Sequence, residues 1–287
     1  MKIIDLLNSG KVTVSCELFP PKTGDQLENA KEIVRQTAAL SPAFISVTCG
    51  AGGSNAGLTV ELADIAQNEC GVPALVHSTC VTATQGDVAH RLALMKQHGL
   101  QNVLALRGDI PEGVALSPDF VHASDLTAEI LRHGDFCVGG ACYPDKHPES
   151  VSVAADIDGL KRKLEAGCQF LTTQMFFDNQ VMYRFLLELL RAGVDVPVCA
   201  GIMPVTNARQ IARSCALSGT LLPPRFKAII DRFGNDPAAM RQAGIAYATD
   251  QIIDLIANGV NHIHIYTMNR PEIAGEILHN LSDIVNR

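Results

Sequence analysis

Apolar and polar positions along the chain follow two patterns that alternate from one end to the other. Short apolar runs have the length of buried strands, and between them lie stretches whose apolar positions recur at helical spacing. The eight strand-like runs are Val12–Phe19, Ala43–Gly50, Ala74–Val81, Asn102–Asp109, Cys137–Pro144, Phe170–Phe177, Pro197–Val205 and His262–Asn269. The helical stretches include Asp25–Leu40, Gly86–His98, Asp156–Ala166, Gln180–Ala192 and Met240–Asn258.

The regular order of these elements predicts the fold. Short turns between a helix and the next strand favour parallel pairing with right-handed crossovers, and eight such repeats suit a closed (β/α)8 barrel, or TIM barrel. Several turns carry a glycine typical of a helix C-terminus: Gly99, Gly134, Gly167, Gly193 and Gly259. A doubly wound α/β sheet is the alternative, but Pro-Pro-Lys-Thr-Gly after Phe19 is no dinucleotide-binding fingerprint. We therefore predict one (β/α)8 domain over residues 1–287.

Two segments interrupt the pattern. Ile110–Ser124 has the composition of a long loop, and Pro223–Asn235 adds a helical stretch before the last long helix. We expect the second segment to be a helical insertion that precedes the final strand.

Composition narrows the class of protein. Hydrophobic residues make up 47% and charged residues 18% of the chain, which is typical of a soluble α/β protein with a large core. The net charge of −7 argues against a nucleic-acid partner, because phosphate backbones bind basic surfaces. No apolar run approaches the roughly 18 residues of a membrane span. The first residues lack the features of a signal peptide, so a cytoplasmic location is expected.

The nine cysteines are scattered singly, and no Cys-x-x-Cys pair occurs. Most of them fall within the apolar runs, where a thiol behaves as a small hydrophobic group. We therefore expect reduced, buried cysteines and predict neither a disulfide framework nor a metal site.

The C-terminal ends of barrel strands meet at one mouth, which holds the active site in enzymes of this fold. The first run places Glu17 there beside apolar neighbours. Burial should raise the pKa of this carboxyl group, so that it can act as a general acid. The alternative is a structural glutamate paired with an arginine or a lysine.

The ends of other strands carry polar residues, and each of these residues could have either a structural or a functional role. His77 is either a satisfied core residue or a cofactor contact. Arg107 and Asp109, on one face of a strand with Gly108 between them, either pair with each other or set the charge near a redox ring. The small-residue loop Thr48–Ser54 would let a flat ligand or its phosphates approach the backbone.

Groups suited to a heterocycle and to anions follow the later strands. Arg162 and Lys163 offer cations for a pyrophosphate, although adjacent basic residues on a helix are usually solvated. Gln174 carries both donors and acceptors that suit the edge of a ring. Tyr266 and Arg270 offer an aromatic surface and a guanidinium for an anionic substrate.

Six motifs, in order along nearly the whole chain, closely resemble the methylenetetrahydrofolate reductase family. They are Glu17–Lys22, Ser46–Thr48, Ala105–Asp109, Tyr143–Pro144 with His147–Glu149, Thr173–Gln174 with Phe176–Asp178, and Tyr266–Arg270. Any one of these motifs alone would be weak, whereas chance agreement of six on separate strands is very improbable.

The resemblance implies a cofactor and a reaction. It places FAD at the barrel mouth, where reduced nicotinamide and folate react with the flavin in turn, and 5,10-methylenetetrahydrofolate is reduced to 5-methyltetrahydrofolate. Glu17 matches the catalytic acid that assists opening of the folate five-membered ring. Asp109 matches the carboxylate that tunes the flavin, and Gln174 matches the residue that contacts the pterin and the nicotinamide.

The same matching implies binding residues and partners. FAD contacts are implied for Thr48, His77, Arg107, Gly108, Asp109, Tyr143, His147, Asp156, Arg162 and Lys163. Folate contacts are implied for Gln174, Tyr266 and Arg270. Electrons would come from NADH or NADPH, or through a partner subunit, in a homo-oligomer or a complex that serves one-carbon metabolism and methionine biosynthesis.

Two positions depart from the family pattern. Cys49 stands where bacterial members often have tyrosine, and Ser214 stands where a helical phenylalanine stacks on substrate or nicotinamide. The second departure leaves the electron donor open.

Two other functions also stay open. One is a different flavin barrel, of the proline dehydrogenase type, and the other is a non-catalytic subunit of a folate or electron-transfer complex. The combination of Glu17, Asp109 and Gln174 favours the reductase over both.

Overall fold

A closed barrel of parallel strands forms the centre of the molecule. The computed structural model describes residues 1–21, 23–50, 56–110 and 113–285, and within them eight strands pair in sequence order, with β8 returning to β1. The strands are β1 Thr13–Leu18, β2 Ile45–Val47, β3 Ala74–Thr79, β4 Asn102–Leu106, β5 Cys137–Cys142, β6 Phe170–Thr173, β7 Val198–Ile202 and β8 His262–Tyr266. The predicted (β/α)8 fold is confirmed.

Helices surround this barrel. They are α1 Ile3–Leu7, α2 Leu27–Ala38, α3 Ala56–Asp64, α4 Gln85–Gln97, α5 Ala123–Arg132, α6 Val153–Glu165, α7 Asn179–Arg191, α8 Ala208–Ser218, α9 Pro224–Phe233, α10 Pro237–Ala257, α11 Pro271–Asn280 and α12 Ser282–Val285. A 3₁₀ turn, Gly24–Gln26, precedes α2, and a π-helical turn, Ile65–Glu69, extends α3. None of the helices in the described ranges is long and apolar enough to cross a membrane.

Several features of the connections were predicted correctly. The helical insertion is α9, which precedes α10 and the final strand. The five glycines at helix C-termini all have positive φ, between 66° and 148°. Helix α5 begins at Ala123, inside the stretch predicted as a loop, and residues 111–112 of that stretch lie outside the described residues.

The predicted strands extend too far at their C-terminal ends. β4 ends at Leu106, so Arg107, Gly108 and Asp109 belong to the following loop, and the prediction that Arg107 and Asp109 share one face of a strand is wrong. Parallel strands lose their hydrogen-bond partners at the mouth, where the chain turns toward the next helix. Apolar composition alone does not mark that point.

The interior of the barrel has an apolar layer at the N-terminal ends of the strands. Its members come from most of the strands and from α1: Ile3, Leu7, Phe44, Leu75, Leu104, Cys137, Phe170 and Cys199. Gly139 makes room for the ring of Phe170, because a Cβ atom there would lie 2.4 Å from that ring. This layer closes the lower end of the barrel around the buried Asn102, whose side chain accepts from Ile3 N and donates to the carbonyls of Met1 and Ala74.

All nine cysteines are free thiols, and six of them are buried. Burial raises the pKa of Cys16 and Cys199 to about 12, which keeps both thiols protonated. The prediction that most of the cysteines are buried is confirmed.

Candidate active site

Glu17 lies at the mouth of the barrel among histidines. Its register partners are Ser46 on β2 and Tyr266 on β8. Ser46 Oγ donates a hydrogen bond to Glu17 Oε2 at 3.4 Å, and the same oxygen lies 3.5 Å from His77 Nε2 and from His264 Nε2. In the described part of the chain no arginine or lysine pairs with Glu17. The alternative considered from the sequence, a structural glutamate paired with an arginine or a lysine, is therefore wrong for the described residues.

His264 was not among the residues that the sequence predicted for the site. It is 1% exposed, and its Nδ1 lies 2.7 Å from Ser15 Oγ, which in turn donates to Ile263 O at 3.1 Å. Nδ1 thus faces Ser15, and Nε2 on the other side of the ring faces Glu17 and Ser46. The strand period of two indicates that Ser15 and Glu17 share one face of β1, but only the register of β1 with β8 places His264 opposite Ser15.

Protonation in this cluster follows from burial and hydrogen bonding together. Burial raises the pKa of Glu17, but the hydrogen bond with His264, the charge of His77 and the Ser46 hydroxyl together hold it below its ordinary value. The prediction that the pKa of Glu17 is raised is therefore wrong, because the polar groups around the buried carboxylate stabilise its charged form. Burial also lowers the pKa of His77 to about 4, so His77 is neutral at neutral pH.

His77 also has an open hydrogen-bonding position. Its Nε2 is buried and makes no hydrogen bond with any described residue, while its ring is 6% exposed beside Glu17. A buried, unsatisfied imidazole nitrogen is costly, so a bound ligand that supplies a partner would stabilise it.

The loop after β4 separates the charges that the sequence placed together. Arg107 forms a bidentate pair with Glu149, at 2.6 and 2.7 Å, and Asp109 is exposed. Gly108 has a φ of 87°, and a Cβ there would lie 3.1 Å from Thr79. The Arg107–Asp109 pair considered from the sequence is therefore not present, and the carboxylate of Asp109 stands at the rim.

Four of the predicted residues come together after β5 and β6. The Tyr143 ring packs edge-on against His147 at 4.5 Å, and Gln174 lies close enough to oppose the rise that burial causes in the pKa of Tyr143. Gln174 Oε1 accepts from the Met175 amide at 2.9 Å, and Asp156 accepts from the His147 amide at 2.9 Å. These contacts fix an aromatic ring and an amide side by side.

Asp109 belongs to the same side of the mouth. Burial and the charge of Asp109 both raise the pKa of Tyr143. This effect shows that the Asp109 carboxylate is close enough to act electrostatically on Tyr143.

The two adjacent basic residues of α6 lie in different places. Lys163 Nζ donates to Ala141 O at 2.6 Å, and burial lowers the pKa of Lys163. Arg162 is exposed and lines a groove between α5 and α6 with Asp125 and Glu165. The structure thus brings Lys163 next to β5 but does not bring Arg162 together with the residues around Tyr143.

The end of β8 forms one wall of the mouth. The Tyr266 hydroxyl donates to Thr173 O, and its ring meets His264 edge-on at 5.4 Å. A Cβ at Gly201 would lie 2.5 Å from the Tyr266 hydroxyl oxygen, so this glycine makes room for the ring. Burial and the charge of Glu17 raise the pKa of Tyr266 well above its ordinary value. Tyr266 is therefore a protonated phenol packed beside Glu17.

Arg270 stands at the rim beyond Tyr266. Its Nη1 donates to Thr206 Oγ1 at 2.9 Å, and its Nε pairs with Glu272 at 3.0 Å. Thr267 Oγ1 donates to Glu17 O at 2.7 Å, which ties this segment to the general-acid candidate.

The remaining predicted positions lie around the second strand and on α8. Thr48 follows β2, and its carbonyl accepts from Thr59 Oγ1 at 3.0 Å. Residues 51–54 of the small-residue loop, together with Lys22 of the first motif, lie outside the described residues. Cys49 is half-buried, and Ser214 lies in α8, where its carbonyl accepts from the Ser218 hydroxyl at 2.9 Å.

The fold and these side chains define a class of protein. A (β/α)8 barrel with a carboxylate, two imidazoles, an amide and aromatic rings at the C-terminal ends of its strands has the architecture of a barrel enzyme.

Comparisons with known proteins give the family. A family model described as methylenetetrahydrofolate reductase matches residues 2–282. The 5,10-methylenetetrahydrofolate reductase of Escherichia coli (strain K12) is 33% identical over 272 residues, which cover 95% of this chain and 91% of that protein. The methylenetetrahydrofolate reductase (NADH) 1 of Zea mays is 35% identical over 295 residues, covering 98% of this chain and 50% of that protein. The chain thus spans about half the length of this plant relative.

The chain belongs to the methylenetetrahydrofolate reductase family of oxidoreductases, as its motifs indicated. Among solved structures, a Clostridium thermocellum protein that binds two copies of 5-methyl-5,6,7,8-tetrahydrofolic acid is similar, with a TM-score of 0.67 at 13% identity. That match covers 100% of this chain and 99% of the other. An oxaloacetate acetylhydrolase is similar with a TM-score of 0.58 at 13% identity, over 99% of this chain and 86% of the other. At these identities the likeness concerns the fold alone.

Proposed function

We propose that the chain reduces 5,10-methylenetetrahydrofolate to 5-methyltetrahydrofolate with FAD as its cofactor. The observation that carries the proposal is the partly buried Glu17 at the barrel mouth, which accepts a hydrogen bond from Ser46, lies beside His77 and His264, and pairs with no arginine or lysine among the described residues. Such a carboxyl group can exchange a proton with a substrate, whereas an ion-paired one would be committed to its cation.

His77 on β3 and the residues that follow β5 fit an isoalloxazine ring and its phosphates. The open Nε2 of His77 offers a hydrogen bond, Tyr143 offers an aromatic surface, and Lys163 offers a cation. When bound, FAD supplies the hydride that reduces the substrate. Asp109, exposed near Tyr143, would place its negative charge where it disfavours an anionic reduced flavin.

Glu17 supplies a proton as the five-membered ring of the folate opens. Its pKa is held low in the free site, where 19% of the side chain is exposed. Bound folate would remove the remaining solvent, and desolvation favours the protonated carboxyl group. His264 and Ser46, which contact the same carboxylate oxygen, keep this oxygen oriented toward the mouth.

Three more residues bind the substrate in this proposal. Gln174, whose Oε1 is occupied by the Met175 amide, uses its amide nitrogen toward the pterin. Tyr266 forms the wall beside Glu17, and Arg270 at the rim pairs with a folate carboxylate.

The electron donor is NADH, NADPH or a partner subunit. Ser214 lacks the aromatic face that would stack on a nicotinamide, although the plant relatives carry NADH in their names. Anaerobic stopped-flow reduction of the FAD-loaded protein by NADH, NADPH and a reduced viologen decides among them. Fast reduction by the viologen alone supports delivery through a partner. Assembly into a homo-oligomer or complex and a cytoplasmic location stay predictions.

Flavin spectroscopy tests the proposed reaction. The purified protein, loaded with FAD, should lose the visible absorbance of oxidised flavin when an electron donor is added. It should regain this absorbance when methylenetetrahydrofolate is added, while 5-methyltetrahydrofolate forms. Failure to bind FAD contradicts the proposal and favours a non-catalytic subunit. Reoxidation by other substrates, but not by methylenetetrahydrofolate, favours a different flavin barrel such as a proline dehydrogenase-like enzyme.

A further inference from the structure

We propose that Asn269 is a positioning residue for Glu17, the acid of the proposed folate reduction. The inference rests on that proposed function and concerns a contact between the loops that follow β1 and β8. The side-chain amide of Asn269 accepts a hydrogen bond from Phe19 N at Oδ1 and donates from Nδ2 to Phe19 O, both at 2.9 Å. Asn269 thereby fixes both backbone polar groups of the residue that lies two positions after Glu17.

This contact extends the pairing of β1 with β8 beyond the ends of the strands. The last register pair of the two strands is Glu17 with Tyr266. Beyond that pair, Thr267 Oγ1 donates to Glu17 O at 2.7 Å, and the Asn269 amide bonds to Phe19. Side chains thus supply hydrogen bonds where the backbone ladder has ended. The backbone of Glu17 is therefore held to the β8 side both at its own position and just after it.

The carboxyl group of Glu17 depends on this backbone because its own contacts are long. Ser46 Oγ lies 3.4 Å from Oε2, and the Nε2 atoms of His77 and His264 both lie 3.5 Å from the same oxygen. Polar contacts at these distances are near the limit of hydrogen bonding and hold a side chain weakly. The position of the carboxyl group at the mouth is therefore set largely by the path of the backbone that carries it.

The loop that carries Asn269 has an unusual backbone. Met268 and Asn269 both have a φ of 55°, in the left-handed region that residues other than glycine seldom adopt. Two further bonds hold the turn, from Asn269 N to Thr267 Oγ1 at 3.2 Å and from Arg270 N to Thr267 O at 3.0 Å. Asparagine tolerates this conformation and supplies both a donor and an acceptor. A strained loop of this kind persists only where contacts such as those with Phe19 determine its conformation.

The same loop fixes the position of the substrate relative to the acid. Arg270, which is assigned to the folate carboxylate, directly follows Asn269, and its Nη1 donates to Thr206 Oγ1 at 2.9 Å. Asn269 therefore joins the segment that carries the acid to the segment that carries the substrate-binding guanidinium. A displacement between these segments would move the acid relative to the folate ring that it protonates, and a misplacement of about 1 Å can cost roughly 10²-fold in rate.

Two variants of Asn269 test the inference in the FAD-loaded protein. Asn269→Gly permits the left-handed backbone but removes both bonds to Phe19, and Asn269→Asp keeps the acceptor and loses the donor. In anaerobic stopped-flow experiments at saturating methylenetetrahydrofolate, reoxidation of the flavin should slow by roughly 10²-fold in the glycine variant and by about tenfold in the aspartate variant. Reduction of the flavin by the electron donor should stay within about twofold of the wild-type rate.

The pH dependence of the folate half-reaction distinguishes positioning of Glu17 from a purely structural role. Burial raises the pKa of this acid, and contacts with His264, His77 and Ser46 together hold it below its ordinary value. Tyr266, the other titratable group beside the acid, stays protonated because burial raises its pKa. A carboxyl group displaced from its polar neighbours loses their effect, so its apparent pKa should rise in the glycine variant. A lower temperature of unfolding with an unchanged pH profile would assign the residue to stability alone and overturn the inference.

Asn258→Gly is the matched control. Asn258 also bonds to the backbone through its amide, donating from Nδ2 to Asp254 O at 2.8 Å. It ends α10 just before β8 begins, at the opposite end of the barrel from the mouth. This variant should leave both half-reactions and the pH profile unchanged.

The remaining outcomes separate this inference from the proposed function. An equal loss in both half-reactions, or an unchanged folate step in both Asn269 variants, overturns the positioning role and leaves the reductase intact. A loss confined to the dissociation constant of the folate also overturns it, because the effect would then act on substrate binding by Arg270. If the wild-type protein itself does not reduce methylenetetrahydrofolate, the proposed function fails and the inference fails with it.

Discussion

His77 is the buried residue whose protonation couples most directly to folding. Burial lowers its folded pKa to about 4, whereas an unfolded histidine titrates near 6.5. Between these values the unfolded chain binds more protons, so the free energy of unfolding rises with pH and falls as pH drops below about 6.5. Glu17 acts in the same direction at lower pH, since its folded pKa lies below its ordinary value.

We therefore expect acidification to destabilise the protein through His77. Lowering the pH from 7 to 5 should reduce the free energy of unfolding by roughly 2 kcal/mol from this residue alone. Urea unfolding of the wild-type protein and of His77→Gln at both pH values measures this contribution. The variant should lose about 2 kcal/mol of the pH dependence and keep the part due to His147 and His262, whose pKa values burial also lowers, while His279→Gln, at an exposed position, should retain all of it. An unchanged slope in His77→Gln would show that another group is responsible.

Asp109 carries the second prediction for a single residue. Burial raises the pKa of Tyr143, and the exposed carboxylate of Asp109 raises it further; the same charge should oppose formation of an anionic reduced flavin. Asp109→Asn should raise the midpoint potential of bound FAD by roughly 30 mV, which equals about 1.4 kcal/mol for a two-electron couple. Potentiometric titration of both proteins measures this shift. An unchanged potential would assign Asp109 a structural role.

At the scale of elements, the period of the sequence predicted which segments are strands and helices but not where they end. Helix α4 begins at Gln85 because Thr84 and Asp87 form a capping box, and α10 begins at Pro237 after the Asp236 cap. Both caps are visible in the sequence, yet apolar spacing placed the helix starts later. Boundaries depend on single hydrogen bonds that a hydrophobic pattern does not contain.

The candidate site was predictable to a similar extent. Glu17, Tyr143 and Gln174 follow from motifs at strand ends, and the structure places them at the mouth. The partners that control them were not predictable in the same way, since His264 reaches Glu17 and Glu149 reaches Arg107 across long sequence separations. Such contacts depend on the register of the closed barrel, which local patterns do not specify.

The third prediction concerns Gly201, which lies where β7 packs against β8. A Cβ at Gly201 would lie 2.5 Å from both Thr173 O and the Tyr266 hydroxyl, so Gly201→Ala forces the Tyr266 ring to move. We expect a loss of about 1–3 kcal/mol in the free energy of unfolding, as for other overpacked interiors. Thermal and urea unfolding measure the loss.

A matched glycine separates packing from backbone effects. Gly159 lies within α6, where a Cβ would meet only the Arg162 guanidinium, at 3.6 Å. Gly159→Ala should be neutral or stabilise the protein by up to about 1 kcal/mol. Equal stability of Gly201→Ala and Gly159→Ala would contradict the assigned packing role of Gly201.

At the scale of the whole molecule, each function draws on a different arc of the barrel. β1, β2, β3 and β8 bring the acid cluster together, and the segments after β4 and β5 carry most of the residues assigned to FAD. Arg270, assigned to the substrate, and the cavity that it lines with Thr206 lie between β7 and β8, where α8, α9 and α10 are inserted. Only the closed barrel places these three regions around one mouth, so the proposed reaction is a property of the complete fold.

The most direct test of the proposed chemistry measures the two half-reactions of Glu17→Gln separately. In anaerobic stopped-flow experiments, reduction of bound FAD by the donor should stay within about twofold of the wild-type rate. Reoxidation by methylenetetrahydrofolate should slow by roughly 10²–10⁴-fold, the typical contribution of a general acid. An equal loss in both half-reactions, or no loss in the folate step, would contradict the role of Glu17 as the acid that opens the folate ring.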